Sequence, residues 1–171
     1  GLAGNYTLSD KSLLSATIAP KALSATANAA GKTYDASTTA SVSLSGLSGL
    51  VGTETLGVSA AGSFDTKNAG TGKTVTVNSV ALQDGANGGL ASNYQLASGQ
   101  TATADIARAT LSVSGSIAAN KTYDGTSTAV ITTGTLSGFI GSERVSASAS
   151  GNFDSKNAGV RTATAIYTLG D

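Results

Sequence analysis

Apolar residues along this chain recur at every second position, as at Val42 and Leu44, Val75 and Val77, and Leu111 and Val113, each pair split by Ser or Thr. Successive side chains of a strand point to opposite faces, so this period of two predicts half-buried β-strands. No window carries a sustained apolar stripe at helical spacing, and little or no helix is expected. Clusters rich in Gly and Asn at 46–52, 68–72 and 84–89 punctuate the alternation and supply the positive φ angles that tight turns require. Short antiparallel strands with frequent turns predict an all-β fold of tandem Ig-like β-sandwiches, with a small grasp-like sheet as the alternative topology.

The pattern itself repeats. Lys32-Thr33-Tyr34-Asp35 returns as Lys121-Thr122-Tyr123-Asp124, and Phe64-Asp65-Thr66-Lys67-Asn68-Ala69-Gly70 returns as Phe153-Asp154-Ser155-Lys156-Asn157-Ala158-Gly159. Both are displaced by 89 residues, position 34 to position 123 and position 64 to position 153. Between them Leu47-Ser48-Gly49 with Glu54 matches Leu136-Ser137-Gly138 with Glu143. A third match, Gly1-Leu2-Ala3-Gly4-Asn5-Tyr6 against Gly89-Leu90-Ala91-Ser92-Asn93-Tyr94, is displaced by 88. These offsets divide the chain into a C-terminal strand segment of a preceding repeat (1–20), a complete β repeat (21–108) and a second repeat lacking its last strands (109–171). Each full unit is long enough for a core of its own, unlike solenoid repeats that must share one. Only Arg108-Ala109 marks the join, which leaves little hinge freedom.

Composition narrows the chemistry. The 171 residues include no Cys, His, Met or Trp, which removes the side chain that titrates near neutrality and the soft metal ligands. Ten basic and ten acidic residues cancel, so the electrostatic footprint of a nucleic-acid binder is absent and no nucleic-acid partner is expected. No apolar run approaches the roughly 20 residues of a membrane-spanning helix, so membrane insertion is not expected, and any export signal is expected to lie outside this stretch.

Taken in order, Lys32-Thr33-Tyr34-Asp35 and Lys121-Thr122-Tyr123-Asp124-Gly125, then Leu-Ser-Gly, Phe-Asp-Ser-Lys-Asn-Ala-Gly and Leu-Ala-Ser-Asn-Tyr, resemble the YDG domain. The resemblance covers nearly the whole chain, with Ala36 standing where the pattern has Gly. It implies tandem repeats of filamentous-haemagglutinin-type adhesins at the bacterial cell surface, in extracellular fibres or biofilm, and it carries no catalytic residues. The structural signature comprises Lys32, Tyr34, Asp35, Phe64, Asp65, Asn68, Asn93 and Tyr94, and in the second copy Lys121, Tyr123, Asp124, Phe153, Asp154 and Asn157.

Several of these positions have sharper readings beside the structural one. Tyr34-Asp35 and Tyr123-Asp124 can be a ligand-facing pair, or a Tyr at the core edge with an Asp closing a turn. Asp65 with Asn68, and Asp154 with Asn157, offer oxygens for Ca²⁺, although no cofactor is expected and the dense Asp spacing of a calcium loop is missing. Lys32, Lys67 and Asn93 are of the residue types that form intramolecular isopeptide bonds. Glu54 and Glu143 read as solvated turn residues rather than general bases.

The leading expectation is a non-catalytic spacer whose partners are neighbouring repeats of the same chain. The rival is an adhesion module for a glycan or a host or matrix protein, and an enzyme is the least favoured class. A further expectation is that residues 1–19 of one molecule complete residues 109–171 of the next by strand donation, giving a homopolymer that grows head to tail into a fibre.

Overall fold

The computed structural model describes residues 1–8 and 13–170. In the first unit nine strands follow one another: β1 (Lys21–Ala22), β2 (Ser24–Ala29), β3 (Lys32–Thr33), β4 (Thr39–Ala40), β5 (Val42–Ser48), β6 (Leu56–Phe64), β7 (Gly70–Asp84), β8 (Tyr94–Gln95) and β9 (Thr101–Ala107). The fold is all-β; among the described residues the helical elements are two 3-10 turns, Ala3–Asn5 and Ala91–Asn93.

Five strands form one sheet in the order β3-β9-β7-β6-β4, and β2 pairs antiparallel with β5, Ala29 opposite Val42. Only two residues separate β2 from β3, and one separates β4 from β5. The β2–β5 ladder is therefore tied at one end into both outer strands of the larger sheet and lies over its face. Alternation then decides the core: Ala40, Phe64, Val75 and Ile106 face inward from the sheet and meet Ala29 and Val42 of the ladder. Val75 and Ile106 retain 0% and 2% of their exposure. The two layers come close at Gly62, where a Cβ would stand 2.7 Å from Val42 Cγ1 of the ladder and from the Thr76 carbonyl oxygen of the neighbouring strand.

The long ladders are antiparallel, as the alternating pattern with frequent turns leads one to expect. Two short pairings are parallel, β1 with β8 (Lys21 opposite Tyr94) and β3 with β9 (Lys32 opposite Ile106). A parallel neighbour needs a long crossover, and here the body of the unit is that crossover.

The second unit repeats this plan with β10 (Ser112–Ser114), β11 (Ile117–Ala118), β12 (Thr128–Ala129), β13 (Ile131–Thr132), β14 (Thr135–Ser137), β15 (Ser146–Phe153) and β16 (Ala163–Gly170). Pairs β10–β14 and β11–β13 rebuild the β2–β5 ladder in two pieces, and β12-β15-β16 rebuilds β4-β6-β7. Gly151 takes the place of Gly62, with a Cβ there 2.8 Å from Ile131 Cγ1. Within residues 109–170 no strand holds the position of β9, and Lys121-Thr122, the counterpart of β3, belongs to no strand. Among the described residues the outer edge of β16 is unpaired, and Ala129 is the one buried hydrophobic side chain of this unit.

Residues 13–19 match β9 in sequence, Ile18 standing for Ile106, yet they form no strand, and Ile18 is 98% exposed. A strand needs a partner for its backbone groups, and within the described residues this segment has none. Residues 9–12 of the expected strand segment, and Asp171, lie outside the described residues.

Candidate functional site

The loop that joins β3 to β4 carries the first signature. Asp35 Oδ1 accepts hydrogen bonds from the Ser37 backbone N–H (2.9 Å), the Ser37 hydroxyl (2.9 Å) and Lys32 Nζ (2.8 Å). That is an Asx-type turn clamped by an ammonium. Lys32 also donates to the carbonyls of Ser37 and Thr39, each at 2.9 Å, and lies 5.5 Å above the Phe64 ring. The Lys32 ammonium, followed by the Ser37 N–H, holds the Asp35 carboxyl down at about 2.

The second copy is built the same way. Lys121 Nζ donates to Asp124 Oδ1 (2.9 Å) and to the Thr126 carbonyl (2.8 Å), and it stands 5.9 Å over Phe153. Lys121 and the Thr126 N–H bring Asp124 to about 2. Position three of the turn is left-handed in both copies, Ala36 at φ 63° and Gly125 at φ 78°. The structure thus brings Lys32, Asp35 and Phe64 together, and likewise Lys121, Asp124 and Phe153.

The turn between β6 and β7 carries the second signature. Asp65 accepts from the Thr66 N–H (2.8 Å) and pairs with Lys73 at 3.0 Å, and Lys73 lowers its pKa. In the second copy the Asp154 backbone N–H bonds the Thr162 carbonyl at 2.9 Å, and Arg161 donates to the Asn157 carbonyl at 2.9 Å. Among the described residues no three acidic side chains gather into a metal-binding group, and the carboxylate of Asp65 is taken up by a lysine. Asn93 sits in the 3-10 turn, its N–H on the Leu90 carbonyl at 3.0 Å. Tyr94 beside it is buried; its hydroxyl donates to Glu54 and accepts from the Val51 N–H at 3.1 Å. Among the described residues no hydrogen bond joins Asn93 to Lys32 or Lys67.

One constellation was missing from the sequence reading. Glu143 of the second unit accepts from the Tyr34 hydroxyl at 2.6 Å and from Lys67 Nζ at 2.9 Å, both in the first unit. Tyr34, then Lys67, lowers the Glu143 pKa, while Glu143 raises both of theirs. Beside it lies a cavity of about 470 Å³ walled by Tyr34, Asn68 and Ala69 on one side and Leu111, Phe139 and Ile140 on the other. The signal was present in the repeat: Glu54 and Glu143 recur at the same spacing as the Tyr and Lys motifs. A glutamate that recurs beside glycines reads as a solvated turn until its partner in the next unit is seen.

A YDG-domain family model matches residues 19–104 and 107–171. The chain belongs to the YDG-domain family. No curated protein and no solved structure matches it. In this YDG chain the three name-giving positions do three separate things. The Asp closes the turn, the third residue occupies the left-handed region, and the Tyr of the first unit reaches across to the second. The matching face of the second unit is open: Tyr123, Phe153, Lys156, Asn157 and Arg161 line a cavity of about 390 Å³, and Tyr123 is 62% exposed.

Proposed function

We propose that this chain is a non-catalytic stalk segment of a large exported bacterial surface adhesin, whose YDG units hold a binding region away from the cell. The observation that carries the reading is the join. Two units of one plan meet through the short connection 108–111 between β9 and β10 and are fastened by Tyr34 and Lys67 on Glu143. Such a join suits a spacer, which must transmit position rather than recognise a ligand. The lack of thiols and imidazoles in the sequence is in keeping with a part that does no chemistry. Small-angle scattering tests this: a stiff two-unit rod is expected, whose maximum dimension shortens or broadens in Glu143→Gln. Saturable binding to a glycan or matrix-protein panel, lost in a variant of Tyr123, would replace the stalk with the adhesion module.

A further inference from the structure

Asn87-Gly88 is the one place in the sequence where glycine follows asparagine. The pair forms the centre of a tight turn, Asn87 at φ 58° and Gly88 at φ 85°, closed by the Gly89 N–H on the Ala86 carbonyl at 3.2 Å. Two positive φ angles in succession define the mirror-image turn that Asn-Gly fills best. Both residues are exposed. Among the described residues the Gly88 N–H donates no hydrogen bond, and nothing lies within 4 Å of a Cβ built on Gly88. The Asn87 side-chain amide is held through Nδ2, which donates to the Thr53 carbonyl at 2.9 Å.

We propose that Asn87 is a site of self-modification with water as the co-reactant, at which the backbone nitrogen of Gly88 closes a cyclic imide on the Asn87 side chain. The Gly88 N–H gives its proton to solvent base and the nitrogen attacks Cγ. The N–Cγ bond forms, the Cγ–Nδ2 bond breaks, and Nδ2 leaves with a solvent proton as ammonia. Water then opens the ring. Addition at Cγ yields aspartate; addition at the Asn87 backbone carbonyl yields isoaspartate, with the main chain rerouted through Cγ. One water enters and one ammonia leaves, and no oxidant or cofactor takes part.

Ring closure requires the 87–88 peptide to swing toward the side chain. A side chain on the following residue would obstruct that approach, and a hydrogen-bonded N–H would first have to be freed; Gly88 presents neither obstacle. Asn28, Asn78 and Asn152, by contrast, lie within paired strands. The modification reaches beyond the turn, because residues 84–89 clamp the chain beside them. The Ala86 N–H donates to Thr55 Oγ1 at 2.8 Å, the Thr55 N–H donates to the Ala86 carbonyl at 3.2 Å, and a Cβ on Gly85 or Gly89 would overlap the Thr55 carbonyl. So tight a loop has no room for the extra main-chain carbon of isoaspartate. Either product also replaces the Nδ2 donor by a carboxylate oxygen, which the Thr53 carbonyl repels. Glu54, between the two clamped threonines, receives the hydroxyl of buried Tyr94, so the change at Asn87 loosens that anchor.

The full chain, wild type and Asn87→Gln, is aged in mildly alkaline buffer, folded and in denaturant, and mapped by peptide mass spectrometry, with an isoaspartyl methyltransferase as the reagent that counts isoaspartate. Folded wild type is expected to lose the Asn87 amide before any other asparagine and to gain isoaspartate, faster in alkaline than in mildly acidic buffer. Asn87→Gln keeps an amide but needs a larger ring, and it should stay unmodified. Hydrogen exchange should then rise at 53–55 and 94 in aged wild type and stay unchanged in aged Asn87→Gln. An Asn87 that converts in denaturant but keeps its amide in the folded chain overturns the site, since the turn then shields it. Conversion spread evenly over the other asparagines overturns it as well. Conversion at Asn87 that leaves exchange at 53–55 and 94 unchanged overturns the clamp on Glu54.

Discussion

Ala36 and Gly125 occupy the same turn position, both with positive φ, and their exchange measures what the left-handed conformation costs. An L-residue there carries a penalty of about 1–2 kcal/mol, because Cβ crowds the following carbonyl. Glycine avoids it but loses more freedom on folding, by about 0.5–1 kcal/mol. The net for Ala36→Gly is a gain of about 0.5–1 kcal/mol. Nothing lies within 4 Å of a Cβ built on Gly125, so Gly125→Ala meets no clash and should lose the same amount. For units of this length 1 kcal/mol moves Tm by roughly 4–8 °C, so each substitution should shift one transition by about 2–8 °C, in opposite directions. Differential scanning calorimetry of the two variants and their double reads this directly. If Ala36→Gly lowers Tm, or Gly125→Ala leaves it unchanged, the conformational argument is wrong.

Gly62→Ala should destabilise the first unit by about 3 kcal/mol, since its Cβ would lie 2.7 Å from Thr76 O and from Val42 Cγ1; urea denaturation checks this. Ile106→Ala should cost about 2–5 kcal/mol by opening a cavity in the core, whereas Ile18→Ala should leave the monomer's unfolding curve unchanged. The carboxyls of Asp35 and Asp124 are lowered from 3.8 to about 2. A lowered folded-state pKa gives stability that is present above 3.8 and lost as pH falls from there towards 2. Thermal melts across that window should fall steeply for wild type and less steeply for Asp35→Asn.

The strands were legible because one face of each is buried: Val42, Val75 and Val77 betray β5 and β7 by their spacing alone. The repeat revealed the architecture twice over. The parallel pairs β1–β8 and β3–β9 were not legible, since two-residue strands such as Lys32–Thr33 are too short to set a period. Of the site, the Lys32–Asp35 clasp was visible as a motif because the hydrogen-bond partners of these two side chains lie within seven residues. The Glu143 contact was not, because Tyr34 and its acceptor are 109 positions apart, and local spacing carries no trace of which residues a neighbouring unit will bring near.

The parallel pairing of the first strands of the unit with its last has a mechanical consequence. When the chain is stretched, tension enters the first unit near β1 and leaves past β9. Parallel neighbours pulled from opposite ends slide along one another, so the hydrogen bonds of β1–β8 and β3–β9 are loaded together in shear instead of opening one by one. Resistance to stretching would then depend on these two short ladders, where so few bonds are made that each should register as a change in rupture force.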